Sequence, residues 1–274
     1  MIDPACGSGH FLLGSFRRIL DRWRRNEPGA KIGDLVQRTL DSIHGVDINP
    51  YAVAIARFRL LLVAMKACGV TRLADAPAFH FNLVCGDALL HAPLRVSATE
   101  GQHVLDFELV DDGAECDHAY ASENLPELKR LLQPGQYHAV VANPPYITPK
   151  DRQLNEQYRK RYFSCHMKYS LAVPFMEQIF RLAVPSGFTG QITGNNFMKR
   201  EFGKKLIEQF FPTVDLTHVI DTNSHTSPTT VHQRSLSLVE TARLWLVQFA
   251  LSVPSSERTR NLPILQKGWS GQRS

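Results

Sequence analysis

The chain has 274 residues, of which 43% are hydrophobic and 21% charged, and its formal net charge is +5. That size and balance suit a globular fold with a sizeable core and exclude a low-complexity, collagen-like or disulfide-dense chain, while the basic surplus suits a polyanionic partner. The five cysteines and eleven histidines are scattered without CxxC or HExxH spacing, so the composition predicts free thiols, a reducing cytoplasm and no metal site.

The start, Met1-Ile2 running straight into Asp3-Pro4, lacks the basic-then-apolar layout of a signal peptide. No apolar run reaches the roughly 18 residues of a membrane helix. Residues 11–25 place Phe11, Leu12, Phe16, Ile19, Leu20 and Trp23 at helical spacing with arginines opposite. Residues 44–48 are a short apolar run carrying an acid, which predicts a strand. Pro50 suits a first helical turn, and 51–68 predict a long helix closed by Gly69. Strands are predicted at 81–85, 137–142, 188–193 and 214–220, and helices at 171–184 and 201–211. Alternation of this kind predicts βαβ units, hence an α/β fold with a mostly parallel sheet and helices on both faces.

Residues 88–135 interrupt the alternation. Asp106, Glu108, Asp111, Asp112, Glu115 and Asp117 crowd the middle of this stretch, which predicts a surface insertion between two core strands. After Asp221 the chain nearly loses its acids and turns rich in Ser, Thr and Arg.

Ligands of parallel sheets bind beyond the carboxyl ends of the strands. Four successive predicted strands deliver Gly7-Ser8-Gly9, Asp47, Asp87 and Asn143-Pro144-Pro145-Tyr146 to that edge. Two glycines let the backbone turn tightly and approach a ligand, with the next helix offering its first amides. A simple strand-to-helix turn would use the same residues. Asp47 matches an acid that holds ribose hydroxyls, and it equally suits a helix cap. Asp87 has the same two readings. Together the three favour a nucleoside-binding edge, and the gap from Gly9 to Asp47, longer than the roughly 20 residues of a dinucleotide fold, counts against NAD.

Asn143-Pro144-Pro145-Tyr146 is the most specific motif. Two prolines stiffen the loop and remove two donors. The Asn143 side-chain carbonyl and the Pro144 backbone carbonyl are two acceptors able to grip the two hydrogens of an amine, and Tyr146 offers a face for a base to stack on. Downstream, basic and aromatic residues interleave: Lys150, Arg152, Tyr158, Arg159, Lys160, Arg161, Tyr162, Phe163 and Lys168. They read either as contacts to phosphates and an extruded base or as a solvated helix face.

The pair DPACGSGHFL (3–12) and NPPY (143–146) resembles the amino-methyltransferase family of DNA enzymes. GVDINPY (45–51) and CGDA (85–88) resemble its second and third cofactor motifs. GQITGNNFMKREFGKKLIEQFF (190–211) is similar to the PglX group of adenine methyltransferases of BREX phage-defence systems. The resemblance implies a Rossmann-like fold dependent on S-adenosylmethionine, with Asp3, Pro4, Ala5, Cys6, Gly7 and Gly9 cradling the methionine part of the cofactor. It implies that Asp47 binds the ribose and Asp87 the adenine amino group. It further implies that Asn143 and Pro144 hold the target amine on a rigid Pro145 turn, with Tyr146 stacked on an adenine flipped from double-stranded DNA. Methylation of adenine N6 in restriction-modification or phage defence, alongside other defence proteins and without metal or membrane, is the implied activity.

The chain departs from the family at both ends. Only Met1-Ile2 precede Asp3, so most of the first strand is expected to be absent. Nothing resembles a target-recognition domain. From about residue 222 the family pattern stops, as a shifted reading frame would make it, which predicts a catalytic domain over 1–221 and an atypical tail over 222–274. NPPY-like loops also serve protein-glutamine and RNA-guanine methyltransferases, and an inactive nucleic-acid-binding relic would keep the same motifs.

Overall fold

A computed structural model describes residues 1–93 and 122–219, together with the backbone of Phe249–Ala250. Seven strands form one sheet in the order β3-β2-β1-β4-β5-β7-β6. They are β1 (Ile2–Asp3), β2 (His44–Asp47), β3 (Asn82–Cys85), β4 (Tyr137–Ala142), β5 (Ala183–Gln191), β6 (Asp215–Leu216) and β7 (Phe249–Ala250). The five strands from β3 to β5 are parallel, and β7 pairs antiparallel with both β5 and β6. Short as it is, β1 occupies the centre: Ile2 pairs with His44 on one side and Val140 on the other, and it is fully buried.

Helices lie on both faces because the parallel strands bury both. Side chains alternate across a strand, so in β3 Leu83 and Cys85 join one core and Val84 the other. The first core is packed by α1 (His10–Asn26), α2 (Ile32–Asp41) and α3 (Pro50–Ala67) through Leu12, Phe16, Val36, Leu40 and Leu60. The second is packed by α4 (Leu125–Leu131), α5 (Arg152–Arg161) and α6 (Ala172–Leu182) through Leu128, Tyr158 and Ile179. The short helix α7 (Asn196–Lys199) adds Phe197 to it. Among the described residues no helix is long and apolar enough to cross a membrane.

Local chemistry sets the helix starts. Asn49 caps α3 by accepting from Tyr51 and Ala52 amides, with Pro50 in the first turn. Asp151 caps α5 by accepting from the Leu154 amide at 2.8 Å. The helix α3 has apolar residues on two opposite sides: Val53, Ala56, Leu60 and Ala64 face the core, whereas Tyr51, Ile55, Phe58 and Leu62 are exposed.

Several sequence expectations are corrected. Helix α2, with Leu35, Val36, Thr39 and Leu40 buried at helical spacing, goes unread in the sequence. Helix α6 stops at Leu182, because Pro185 disfavours helix at the residue before it, and β5 starts early with a register irregularity against β4. The helix expected over 201–211 is present but irregular, with 3-10 segments at Glu201–Gly203 and Phe211–Thr213 flanking a π-helical Leu206–Phe210. The strand expected over 214–220 is only Asp215–Leu216. Both ends of the 88–135 stretch are core rather than surface: Ala88, Leu89, Leu90 and Ala92 are buried, as are Leu128 and Leu131. Its acid-rich middle, and the tail from 222 apart from β7, lie outside the described residues.

Candidate active site

The Asp3-to-Gly9 segment leaves the end of β1 and turns into α1. Gly7 and Gly9 both have positive φ, 52° and 84°, where residues with a Cβ are strained. A Cβ on Gly9 would also stand 3.1 Å from the Ala56 Cβ of α3, so the turn rests directly on the neighbouring helix. Arg59 reaches back from α3 to hold it, donating to the Ser8 carbonyl at 2.8 Å and the Ser8 hydroxyl at 3.2 Å. The first amides of α1 open at this edge, the arrangement that receives anionic groups.

Asp3 is 1% exposed and accepts from the Ala5 amide at 3.0 Å. Burial, reinforced by the nearby Asp47 charge, pushes its carboxyl up to about 8 against the pull of that hydrogen bond. A carboxylate so held is stabilised by an incoming cation. Asp47 ends β2 and ties two turns together: one oxygen accepts from the Gly7 amide at 2.8 Å, the other from the Asn49 amide at 2.9 Å. Each oxygen keeps a lone pair, and the side chain is half-buried, so it can still accept from a vicinal diol.

Asp87 lies beyond β3, in a turn whose Gly86 amide donates to the Asp47 carbonyl at 2.9 Å. A Cβ on Gly86 would fall 2.4 Å from the Leu128 side chain, so glycine lets the turn pack on α4 without displacing Leu128. The Asp87 carboxylate is 6% exposed. It accepts from the Leu89 and Leu90 amides at 2.8 and 3.0 Å and from the Tyr158 hydroxyl at 2.5 Å.

Asn143-Pro144-Pro145-Tyr146 leaves β4, the strand beside β1. This is where the order of connections reverses, from β1-β2-β3 on one side to β4-β5 on the other, and it is the crevice where such sheets bind ligands. Pro144 is buried, Asn143 and Pro145 are exposed, and Tyr146 is half-buried. The Tyr146 hydroxyl donates to Asn143 Oδ1 at 2.7 Å, and burial raises its pKa. The turn after β5 closes the other side, its Gly194 lying against the Tyr146 ring.

Cys6 does not face this edge. Its side chain is buried against Gly45, its amide is taken by the Val46 carbonyl at 3.0 Å and its carbonyl by the Gly9 amide at 2.9 Å. It packs the turn from beneath, and burial raises its thiol pKa. The basic-aromatic stretch also divides. Lys150, Arg152, Arg159 and Lys160 are exposed, but Tyr158, Arg161 and Tyr162 are buried and contact the 87–90 turn rather than solvent. Arg59 and Gly194 are the site residues unread in the sequence, of which Gly194, inside the 190–211 similarity, carries a local signal; Tyr158 is read there only within the basic-aromatic stretch, not as a partner of Asp87. Among the described residues no cluster of three or more His, Cys, Asp or Glu could hold a metal, and Cys6, Cys68, Cys85 and Cys165 are free thiols.

A family model described as Eco57I restriction-modification methylase matches residues 41–227, which take in Asp47, Asp87 and Asn143–Tyr146. The chain belongs to the Eco57I restriction-modification methylase family. Within its wider kinship, this Eco57I-type chain is 48% identical over 246 residues to the adenine-specific methyltransferase PglX of Streptomyces coelicolor, covering 84% of the chain and 20% of PglX. It is 26% identical over 230 residues to the type II methyltransferase M.PaeR7I of Pseudomonas aeruginosa, covering 81% of the chain and 32% of that protein. The chain therefore spans about a fifth to a third of the length of these relatives. In three dimensions it matches the ATP-dependent Type ISP restriction-modification enzyme LlaBIII bound to DNA, with a TM-score of 0.52 at 16% identity over 78% of this chain and 14% of that one. The DrdV–DNA complex matches with a TM-score of 0.50 at 15% identity over 78% and 19%. At such identities the likeness establishes the α/β fold of the Eco57I-type domain.

Proposed function

We propose that this chain carries the catalytic core of an adenine-specific DNA methyltransferase, transferring a methyl group from S-adenosylmethionine to adenine N6. The observation that carries the reading is the meeting of two different chemistries at one sheet edge. The Gly7–Gly9 turn, Asp3 and Asp47 suit a cationic nucleoside with a diol, and the rigid Asn143–Tyr146 loop on the adjacent strand suits an amine on a flat ring. Homology to adenine-specific methyltransferases supports the base.

The residues fit such a cofactor. Gly7 and Gly9 clear backbone for close approach, Asp47 retains acceptors for ribose hydroxyls, and the buried Asp3 carboxyl matches an ammonium. When bound, the cofactor supplies an electrophilic methyl on a sulfonium. The chain does the rest by orientation. Asn143 Oδ1 and the Pro144 carbonyl accept from the two amine hydrogens, which keeps the nitrogen lone pair free of them and directed at the methyl group. Tyr146 stacks on the base, and the exposed Lys150, Arg152, Arg159 and Lys160 face phosphates of a DNA partner. The catalytic domain spans 1–221 in this reading, and the cytoplasm is its compartment.

Transfer of labelled methyl from S-adenosylmethionine to duplex DNA tests it. Incorporation that disappears with adenine-free DNA and with Asn143→Ala is expected. Equal incorporation into adenine-free DNA, or into protein or RNA alone, overturns it.

A further inference from the structure

We infer that Tyr158 is a positioning residue that aims the last free acceptor of Asp87 at the purine amino group of the cofactor. The inference rests on the methyltransferase reading above and adds a residue from outside every cofactor motif.

The argument is a count. An ionised carboxylate offers about four lone-pair sites. Asp87 Oδ1 accepts from two backbone amides, Leu89 at 2.8 Å and Leu90 at 3.0 Å, so it is filled. Oδ2 accepts from the Tyr158 hydroxyl at 2.5 Å, which leaves one site among the described residues. An exocyclic amine needs one acceptor. The direction of the remaining lone pair is fixed by which side of Oδ2 the hydroxyl occupies. Asp87 is 6% exposed and Tyr158 3%, so the bond between them is held out of bulk solvent.

The tyrosine is itself held. Tyr158 lies on α5, and the same helix end binds the same turn twice more: Arg161 Nε donates to the Leu90 carbonyl at 2.7 Å and the Tyr162 hydroxyl to the Leu89 carbonyl at 3.0 Å. Tyr162 also bonds Gln178 of α6 at 3.0 Å. A buried hydroxyl must donate to something. Its acceptor is a side-chain carboxylate, whereas the two neighbouring bonds to this turn meet backbone carbonyls.

Binding of two ligands tests this: S-adenosylhomocysteine, and its analogue with hydrogen in place of the purine 6-amino group. The wild-type chain is expected to prefer the amino ligand by about tenfold, the scale of one hydrogen bond to a charged acceptor. In Tyr158→Phe that preference falls to within about twofold, while Tyr162→Phe, which removes a neighbouring bond of the same turn, retains it. If Tyr158→Phe weakens both ligands by one factor, or leaves the ratio unmoved, the inference is overturned. A wild-type chain that binds both ligands equally overturns it too, leaving the methyltransferase reading intact; a chain that binds neither overturns the cofactor reading itself. Should Tyr158→Phe fail to fold, 3-fluorotyrosine at 158 keeps the shape and strengthens the donor. Its expected result is a lowered ratio, because charge is drawn from Oδ2, and an unmoved ratio overturns the inference.

Discussion

The Tyr146 hydroxyl donates to Asn143 Oδ1 at 2.7 Å, so the atom proposed to grip the target amine holds a substitute donor from its own motif. A base entering the loop meets a competitor three residues away. Tyr146→Phe keeps the stacking face and removes the competitor, and should retain turnover within about twofold with an unchanged or lower KM for DNA. Tyr146→Ala should lose the stacking contribution of about 1–3 kcal/mol. Asn143→Ala should cost on the order of a hundredfold or more in kcat, as loss of a preorganised polar group does. If Tyr146→Phe falls as far as Tyr146→Ala in steady-state assays, the hydroxyl rather than the ring carries the role.

Asp3 makes cofactor-free stability depend on pH. Its folded-state pKa, raised by burial to about 8 from 3.8, means the folded chain holds a proton that the unfolded chain has released between those values. The contribution to stability is therefore full below about pH 4 and is lost as pH rises through 8. His44 runs the other way: burial lowers it from 6.5 to about 4, so stability falls as pH drops through that window. Asp3→Asn should raise Tm at pH 8 by several degrees relative to wild type and abolish the high-pH decline, measured by thermal denaturation without cofactor. A parallel decline in both proteins would remove Asp3 as its source.

Two glycines of one helix should respond oppositely to alanine. Gly9 combines a φ of 84° with a Cβ position 3.1 Å from Ala56, so Gly9→Ala should lose about 1–2 kcal/mol or more and weaken cofactor binding. Gly14 sits inside α1 with nothing within 4 Å of a Cβ, and Gly14→Ala should gain about 0.5–1 kcal/mol. Urea denaturation of the pair checks both signs.

Helix α3 offers a second contrast. Leu60 is 1% exposed and Phe58 51%. Leu60→Ala should cost about 2–5 kcal/mol by leaving a cavity, and Phe58→Ala within about 0.5 kcal/mol, as surface changes do. Comparable losses in chemical denaturation would mean that the exposed face of α3 is covered in solution.

The sequence by itself determined the fold class and which motifs meet at the sheet edge. Strand ends are marked locally, by glycines, acids and the Asn143–Tyr146 loop, and a parallel sheet brings those ends together whatever the loops between them do. Positive φ at Gly7 and Gly9 and the caps at Asn49 and Asp151 are short-range effects of the same kind. Only the tertiary structure decided where side chains point. Cys6 shares a motif with Gly7 and Gly9, yet the core beneath claims it. Tyr158 and Tyr162 look like a nucleic-acid-binding pattern in sequence, yet they turn inward. The partner of Tyr158 is 71 residues away, and no local pattern encodes a carboxylate at that distance. The ends of the 88–135 stretch are core for the same reason, because burial is set by what the rest of the chain packs against them.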